Sequence, residues 1–305
     1  MVELDSVSPL RPLSDNLLAR KRTNEEMNVI VTGAYGKCGT AIIDHLHDRS
    51  EYDFTYLNRS DRSEDHEYGG YDTVVADIKE YDALEAAFED QDTVVHLAAD
   101  PDPASDWEAI HEANVMGTYN ALEAARRAEV ESFIFASSNH VMGGYEDEHA
   151  PALYELGHDL LLDHTSPVRP DSYYGLSKAM GEDMGRYYVD YFEYPTQFYA
   201  LRICSLRWPD YDHPFGFGEW RVDHGDLDRK SEQYREFTRR MKAMWHSRRD
   251  FAHQIDCCLQ DENVNFGVFP GVSDNLTRWF DLEHARKQIG YNPQDDGSEW
   301  DQPPE

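Results

Sequence analysis

The chain alternates short runs rich in β-branched and aromatic residues with longer stretches in which apolar residues return every third or fourth position. The runs MNVIVTG, DFTYLN, DTVVAD, DTVVHLAA, SFIFASS and TQFYALRI are nearly continuous in apolar character, as strands buried on both faces require. Between them lie KCGTAIIDHLHD, YDALEAAFED, WEAIHEANVMGTYNALEAARRAEV and SYYGLSKAMGEDMGRYYVDYF, whose spacing predicts amphipathic crossover helices. This order predicts an α/β fold with a doubly wound parallel sheet and a ligand beyond the carboxyl ends of the strands. After Ile203 the rhythm breaks, and WPDYDHPFGFGEWRVDHGDLDRKSEQ reads as an irregular excursion over the site. Two helical patterns, a short strand NFGVFPG and a last helix DLEHARKQIG complete a smaller C-terminal part. The predicted division is an N-terminal arm over 1–26, a main α/β unit over 27–204, a substrate-binding region over 205–293 and a tail over 294–305.

Charge narrows the range of partners. The 305 residues carry 60 acidic against 28 basic side chains, a formal net charge of −32. Such a field repels phosphate backbones and anionic lipid, which argues against nucleic-acid or membrane binding. A dense carboxylate coat suits a protein dissolved in concentrated salt, where screening removes most of the self-repulsion. An ordinary acidic cytoplasmic protein is the plainer alternative. Cys38, Cys204, Cys257 and Cys258 have no zinc-ligand spacing and read as reduced thiols, so no metal site is expected. No stretch has the apolar length of a secretory leader or a membrane span, which places the protein in the cytoplasm as an expectation.

Three segments carry candidate chemistry. In VTGAYGKCGT, Gly33, Gly36 and Gly39 follow an apolar strand and open a helix, a turn whose free N–H groups can cradle a diphosphate, with Tyr35, Lys37 and Cys38 beside it. In SYYGLSKAM, Tyr174 stands four residues before Lys178, so the two share a helix face, whereas Tyr173 pairs with Ser177. A free tyrosine titrates near pH 10, and a neighbouring ammonium together with an oxidised nicotinamide would pull that value towards neutrality. In FIFASSNHVMGG a strand ends in Ser137 and Ser138, and side-chain alternation directs only one of them to the ligand.

Taken together, TGAYGKCG, Asp77 ending VVAD, HLAA, SSNH and YGLSK resemble the extended short-chain dehydrogenase/reductase family, which has a Rossmann-type nucleotide-binding fold. Within it, FASSNHVMG, RICS and RRMKAMWHSRRDF are similar to the uronate dehydrogenases and their haloarchaeal relatives, which include glucose-6-phosphate and L-arabinose dehydrogenases. The resemblance implies a dinucleotide-binding unit over 27–204 and a catalytic triad of Ser138, Tyr174 and Lys178. It implies cofactor contacts from Asp77, Ile78, Leu97, Ala98, Ala99 and Ile203, a structural and catalytic part for Asn114, and substrate contacts from Asn139, His140, Ser205 and Arg240. His140 can equally be a structural residue bonded within its loop, and Arg240 a helix arginine in a salt bridge.

One position departs from the pattern of the uronate and glucose-6-phosphate enzymes. The second strand ends in Asn58 and Arg59, where an acid would bind a free ribose 2′-hydroxyl and repel a 2′-phosphate. Arg59 can instead supply charge-assisted hydrogen bonds to that phosphate, with Arg62 or Lys37 assisting. The expected cofactor is NADP, with NAD also possible. The expected reaction is oxidation of a free aldose, L-arabinose or a similar sugar, at C1 to the lactone. Glucose-6-phosphate or uronate oxidation, nucleotide-sugar epimerisation or dehydration, and a non-catalytic NAD(P)-sensing role remain open on sequence alone. The helices ahead of Ser132 and around Tyr174 can pair between subunits, so a homodimer or tetramer is expected. The surface charge yields its own test: transfer from molar to millimolar KCl should lower the melting temperature through unscreened repulsion. An unchanged melting curve would remove the salt-adapted reading.

Overall fold

A computed structural model describes residues 26–304, so the expected N-terminal arm, apart from Glu26, lies outside the described residues. Seven parallel strands, β1 (Met27–Thr32), β2 (Tyr52–Asn58), β3 (Thr73–Val75), β4 (Thr93–His96), β5 (Ser132–Ser138), β6 (Gln197–Ile203) and β7 (Phe266–Gly271), form one sheet. Their order is β3-β2-β1-β4-β5-β6-β7. The order reverses between β1 and β4, and the crevice opened there is the usual ligand position of a doubly wound sheet. The expected C-terminal strand is β7, which pairs with β6 and closes the far edge.

Strand alternation divides the core into two layers. Val29 and Val31 face one side with α1 (Lys37–Leu46) and residues of α9 (Arg248–Gln260), while Ile30 faces the other. On that second side lie α2 (Tyr81–Phe88), α4 (Gly117–Arg127) and α6 (Tyr173–Tyr191). The stretch expected as one long crossover helix is interrupted: α3 (Trp107–Ile110) leads into a π-helical turn over His111–Met116 before α4 begins. The inserted residue spaces buried Ile110 and Val115 five apart instead of three or four, and such turns gather at functional sites.

Helix α6 lies unusually close to the sheet. A Cβ at Gly181 would come within 2.3 Å of the Phe135 ring, and one at Gly185 within 2.2 Å of the Phe198 ring. Its rotation is fixed by a buried ion pair. Arg202 on β6 donates from Nε and Nη2 to Glu182 Oε1 and Oε2 at 2.9 and 2.7 Å, and Ser137 Oγ adds a bond to Oε1 at 2.5 Å.

The C-terminal stretch is more ordered than its composition suggests. Within the expected excursion sits α7 (Gly216–Asp223), whose buried Glu219 is satisfied by Arg229 and Tyr234. Short helix α5 (Gly143–His149), then α8 (Glu232–Met244) and α10 (Glu283–Ile289), complete the helices. The terminal segment is held by bonds from Lys242 Nζ to the Trp300 carbonyl at 2.6 Å and from Gly297 N to Asn275 Oδ1 at 2.8 Å. Among the described residues no helix is long and apolar enough to cross a membrane. All four cysteines are free thiols.

Candidate active site

The glycine turn links β1 to α1. Gly33 adopts φ +69°, and a Cβ there would lie 2.8 Å from the Ala98 backbone. A side chain would therefore be strained and would collide with the end of β4. A Cβ at Gly39 would lie 2.1 Å from the Ala34 carbonyl, so the helix packs directly on its own entry turn. No side chain caps α1 at Gly36, which leaves its N-terminal dipole directed at the crevice. Burial, then Arg207, pushes the Lys37 ammonium below its ordinary value, and burial pushes the Cys38 thiol up to about 11.

At the end of β2, Asn58 Nδ2 donates to the Ser60 carbonyl at 2.9 Å, turning the chain away. Arg59 is exposed, and among the described residues no carboxylate pairs with it. Arg62 lies 5.1 Å over the ring of Tyr35. Asp77 is half-buried and caps Lys79 N at 3.0 Å, while Ile78 packs against Gly117. Leu97, Ala98 and Ala99 line the exit of β4 opposite the turn, half-buried. The uncapped helix, the close glycine turn and the cations nearby fit a dinucleotide diphosphate and its ribose.

Helix α6 delivers the reactive side chains. Ser172 caps it by accepting from Gly175 N at 3.1 Å, and a Cβ at Gly175 would lie 2.3 Å from the His140 carbonyl. The helix therefore starts in contact with the loop after β5. Tyr174, Lys178 and Glu182 recur every four residues and so face the sheet together. Because Ser137 is bound to Glu182, it is Ser138 that faces Tyr174. Burial pushes Tyr174 up to about 12 against the opposing pull of Ser138, and pushes Lys178 down to about 8. The lowering expected from sequence requires the ammonium together with an oxidised nicotinamide. In the protein alone burial prevails instead, and the resting residue is a neutral phenol. The Lys178 ammonium sits 5.7 Å from the centre of the Tyr174 ring and 5.0 Å from that of Phe135, with no ion pair among the described residues.

The remaining expected residues divide by their partners. His140 binds Asp171 through Nδ1 at 2.6 Å and stands edge-on to Tyr174, ring centres 5.6 Å apart. Asn139 is buried, and its Nδ2 has no partner among the described residues, an expensive state that a ligand hydroxyl would relieve. Asn114 is engaged within the protein: Oδ1 accepts from Asp100 N at 2.7 Å, and Nδ2 donates to the Asp100 carbonyl and Ser177 Oγ at 3.1 and 3.2 Å. It locks the π-helical turn to α6. Ile203 pairs in register with Ser138, and Ser205 follows it at the same rim.

Arg240 reaches Ser205 Oγ with Nη1 at 3.4 Å and gives Nε and Nη2 to Glu146. Arg207 stacks on Phe217 at 4.4 Å, with no carboxylate partner among the described residues, and burial, then Arg240, pushes it down to about 10. Two charged residues escaped the sequence reading. Glu146 is one. Arg248 is the other: its backbone N donates to Asp212 Oδ2, and its buried guanidinium bonds the Lys37 and Arg207 carbonyls at 3.0 and 3.3 Å, Thr40 Oγ1 at 3.1 Å, and Asp44.

With a glycine turn, a Ser–Tyr–Lys cluster and a sheet switch point assembled in one crevice, the fold and site define a nucleotide-dependent oxidoreductase class. The chain belongs to the NAD dependent epimerase/dehydratase family, whose pattern matches residues 29–258. It is similar to the NAD-dependent glucose-6-phosphate dehydrogenase of Haloferax volcanii, 33% identical over 276 residues covering 89% of this chain and 95% of that enzyme. It is equally similar to the L-arabinose 1-dehydrogenase (NAD(P)(+)) of the same organism, 33% identical, covering 88% of this chain and 97% of that one. Among solved structures, the glucuronic acid dehydrogenase of Chromohalobacter salexigens superposes with a TM-score of 0.68 at 26% identity, covering 90% of this chain and 87% of that one. These relatives are named as sugar dehydrogenases, and the chain is an oxidoreductase of this family.

Two outcomes follow from the α6 geometry. Tyr174→Phe should lower turnover at least about a hundredfold, the lower end for loss of a general base, while cofactor affinity stays within a few-fold. Tyr173→Phe should be mild, and an equal loss there would reassign the base. Lys178→Met should abolish activity yet raise the melting temperature at pH 7, because it removes a buried charge. Between about pH 8 and the unfolded value near 10.4, the unfolded chain holds the Lys178 proton more firmly than the folded one. Wild-type stability therefore gains with pH in that window, and the melting difference should narrow from pH 7 to pH 10. A constant difference would contradict it.

Proposed function

We propose that this protein oxidises a free, neutral aldose, L-arabinose or a close analogue, at C1 to the lactone, with NADP preferred over NAD. The reading rests on the alignment of Ser138, Tyr174 and Lys178 at the carboxyl end of β5, the site's only reactive constellation among the described residues. Residues 27–204 would hold the cofactor and 205–293 the sugar. Gly33, Gly36, Lys37 and Cys38 would hold the diphosphate, and Lys178 the nicotinamide ribose. Bound NADP supplies the hydride acceptor and a positive ring that favours the phenolate. Ser138 orients the C1 hydroxyl by hydrogen bonding. Tyr174 takes the hydroxyl proton as the C–H bond breaks, and Asn139 Nδ2 donates to a neighbouring sugar oxygen. His140, held by Asp171, walls the pocket beside Tyr174. The lactone then leaves and opens in water, so no water need be activated in the site.

A second reading, oxidation of a sugar phosphate, is favoured by Arg207, a cation beside Lys37 without a carboxylate partner among the described residues. Exposed Tyr119 on α4 with Tyr173, Leu176, Tyr187 and Tyr191 along α6 supports pairing of these helices between subunits. The acidic surface supports a salt-rich cytoplasm as the setting.

The substrate is tested by free sugars, sugar phosphates and uronates, each with NAD and NADP in high salt, followed by absorbance of the reduced cofactor. Net reduction with free L-arabinose or D-galactose supports the reading, and reduction only with sugar phosphates replaces it by the second. The cofactor is tested by the kcat/KM ratio for NADP over NAD. Arg59→Ala removes a charge-assisted bond of roughly 1.5–3 kcal/mol and should weaken NADP by about ten- to a hundredfold with little effect on NAD. Asn58→Asp should shift the ratio the same way by repelling the phosphate. If the wild type already prefers NAD, or neither substitution moves the ratio, the NADP assignment is lost.

A further inference from the structure

Arg240 is positioned to recognise an anion, yet it is already satisfied. Its Nε and Nη2 grip Glu146 Oε1 and Oε2 at 2.6 and 3.0 Å, the paired geometry with which a guanidinium takes up a carboxylate. The pair is substantially buried, with Glu146 only 12% and Arg240 27% exposed in their side chains. Tyr154 donates to Glu146 Oε1 at 2.5 Å, and burial, then the Glu146 charge, keeps that phenol protonated and so a donor. Glu146 thus has three donors on one carboxylate. The one Arg240 nitrogen outside this grip, Nη1, turns to Ser205 Oγ at 3.4 Å.

The arrangement belongs to the rim of the proposed sugar site. Ser205 lies two residues beyond Ile203, the in-register partner of Ser138. Glu146 sits on α5, eight residues after Ser138 and joined to it by the turn Asn139–Met142. We infer that Glu146 is a specificity-determining residue: it occupies the Arg240 fork from within the protein, so that this end of the pocket accepts a hydrogen or hydroxymethyl group and rejects a carboxylate. A neutral group there meets a compensated ion pair, the Ser205 hydroxyl, and spare acceptor capacity on Glu146 Oε2. A sugar carboxylate meets a fixed negative charge and no free fork, and can bind only by displacing a side chain held by three bonds. Such built-in repulsion separates substrates that attractive contacts alone distinguish poorly.

The inference rests on the sugar-oxidation reading, and its test separates the two. L-Arabinose, D-galactose and D-galacturonate share ring configuration and differ at one carbon: hydrogen, hydroxymethyl and carboxylate. Their kcat/KM values are compared in the wild type and Glu146→Gln, at one salt concentration. Gln keeps the shape and one carbonyl acceptor while releasing the charge. The expected result is a rise of at least tenfold in the ratio of galacturonate to galactose, carried mainly by KM. A general loss of structure would lower all three values together and leave that ratio in place. A folded Glu146→Gln enzyme with the wild-type ratio overturns the role of Glu146 while leaving neutral-sugar oxidation standing. A wild type that oxidises galacturonate and neither neutral sugar overturns both. Inhibition supplies a measurement that needs no variant. Galacturonate should inhibit wild-type galactose oxidation at least tenfold more weakly than L-arabinose competes, and equal potency overturns the inference even if Glu146→Gln fails to fold.

Discussion

The ion pair of Glu182 with Arg202 is the contact on which the catalytic geometry depends. Its side chains are only 6% and 7% exposed, and each charge brought out of water costs several kcal/mol unless its hydrogen bonds are met. They are met by one arrangement, with both carboxylate oxygens on Arg202 and Ser137 added to one of them. That arrangement admits a single rotation of α6 about its axis. Four residues back along the same stripe lies Lys178, and four further Tyr174, so the pair sets the direction of both. It also occupies Ser137, leaving the next residue of β5 to meet the tyrosine. Three catalytic orientations therefore descend from one carboxylate that touches none of the reacting atoms.

Around this frame the charge runs against the character of the whole chain. The protein carries a net charge of −32, yet Lys37, Lys178 and Arg207 line the crevice with no carboxylate partner among the described residues. Arg240 is the exception, neutralised by Glu146. The acids are concentrated on the surface, where salt screens them, whereas Lys178 is buried and Arg207 half-buried, where screening acts weakly. Recognition of an anionic cofactor can then persist at salt concentrations that erase longer-range attraction.

Local periodicity made much of this legible beforehand. The strand runs and the crossover helices follow from side-chain direction alone, and so does the shared face of Tyr174 and Lys178. What stayed hidden was set by residues distant in the chain. Spacing alone leaves Ser137 and Ser138 equivalent, and although the resemblance supplies Ser138, the contact that occupies Ser137 comes from Glu182, 45 residues later. The state of Arg240 is decided by Glu146, 94 residues earlier. The ammonium near Tyr174 can be read from spacing, whereas the burial that raises the tyrosine in the protein alone cannot. The π-helical turn ahead of α4 adds one residue to a helix, and only the three bonds of Asn114 reveal what it positions.

Arg248 carries a consequence for how such a protein can diversify. Standing at the head of α9, it holds the carbonyls of Lys37 on the glycine-turn helix and Arg207 on the excursion with one nitrogen, and Thr40 and Asp44 with another. The segment that would meet the cofactor and the segment that would meet the sugar are thus joined through a single buried side chain, without a hinge or linker between them. Neither can be grafted from a relative as an independent module. A new sugar preference acquired in the C-terminal region is inherited together with a displaced glycine turn unless the contacts of Arg248 are preserved, so the readiest route to new substrates runs through side chains such as Glu146 that lie outside this junction.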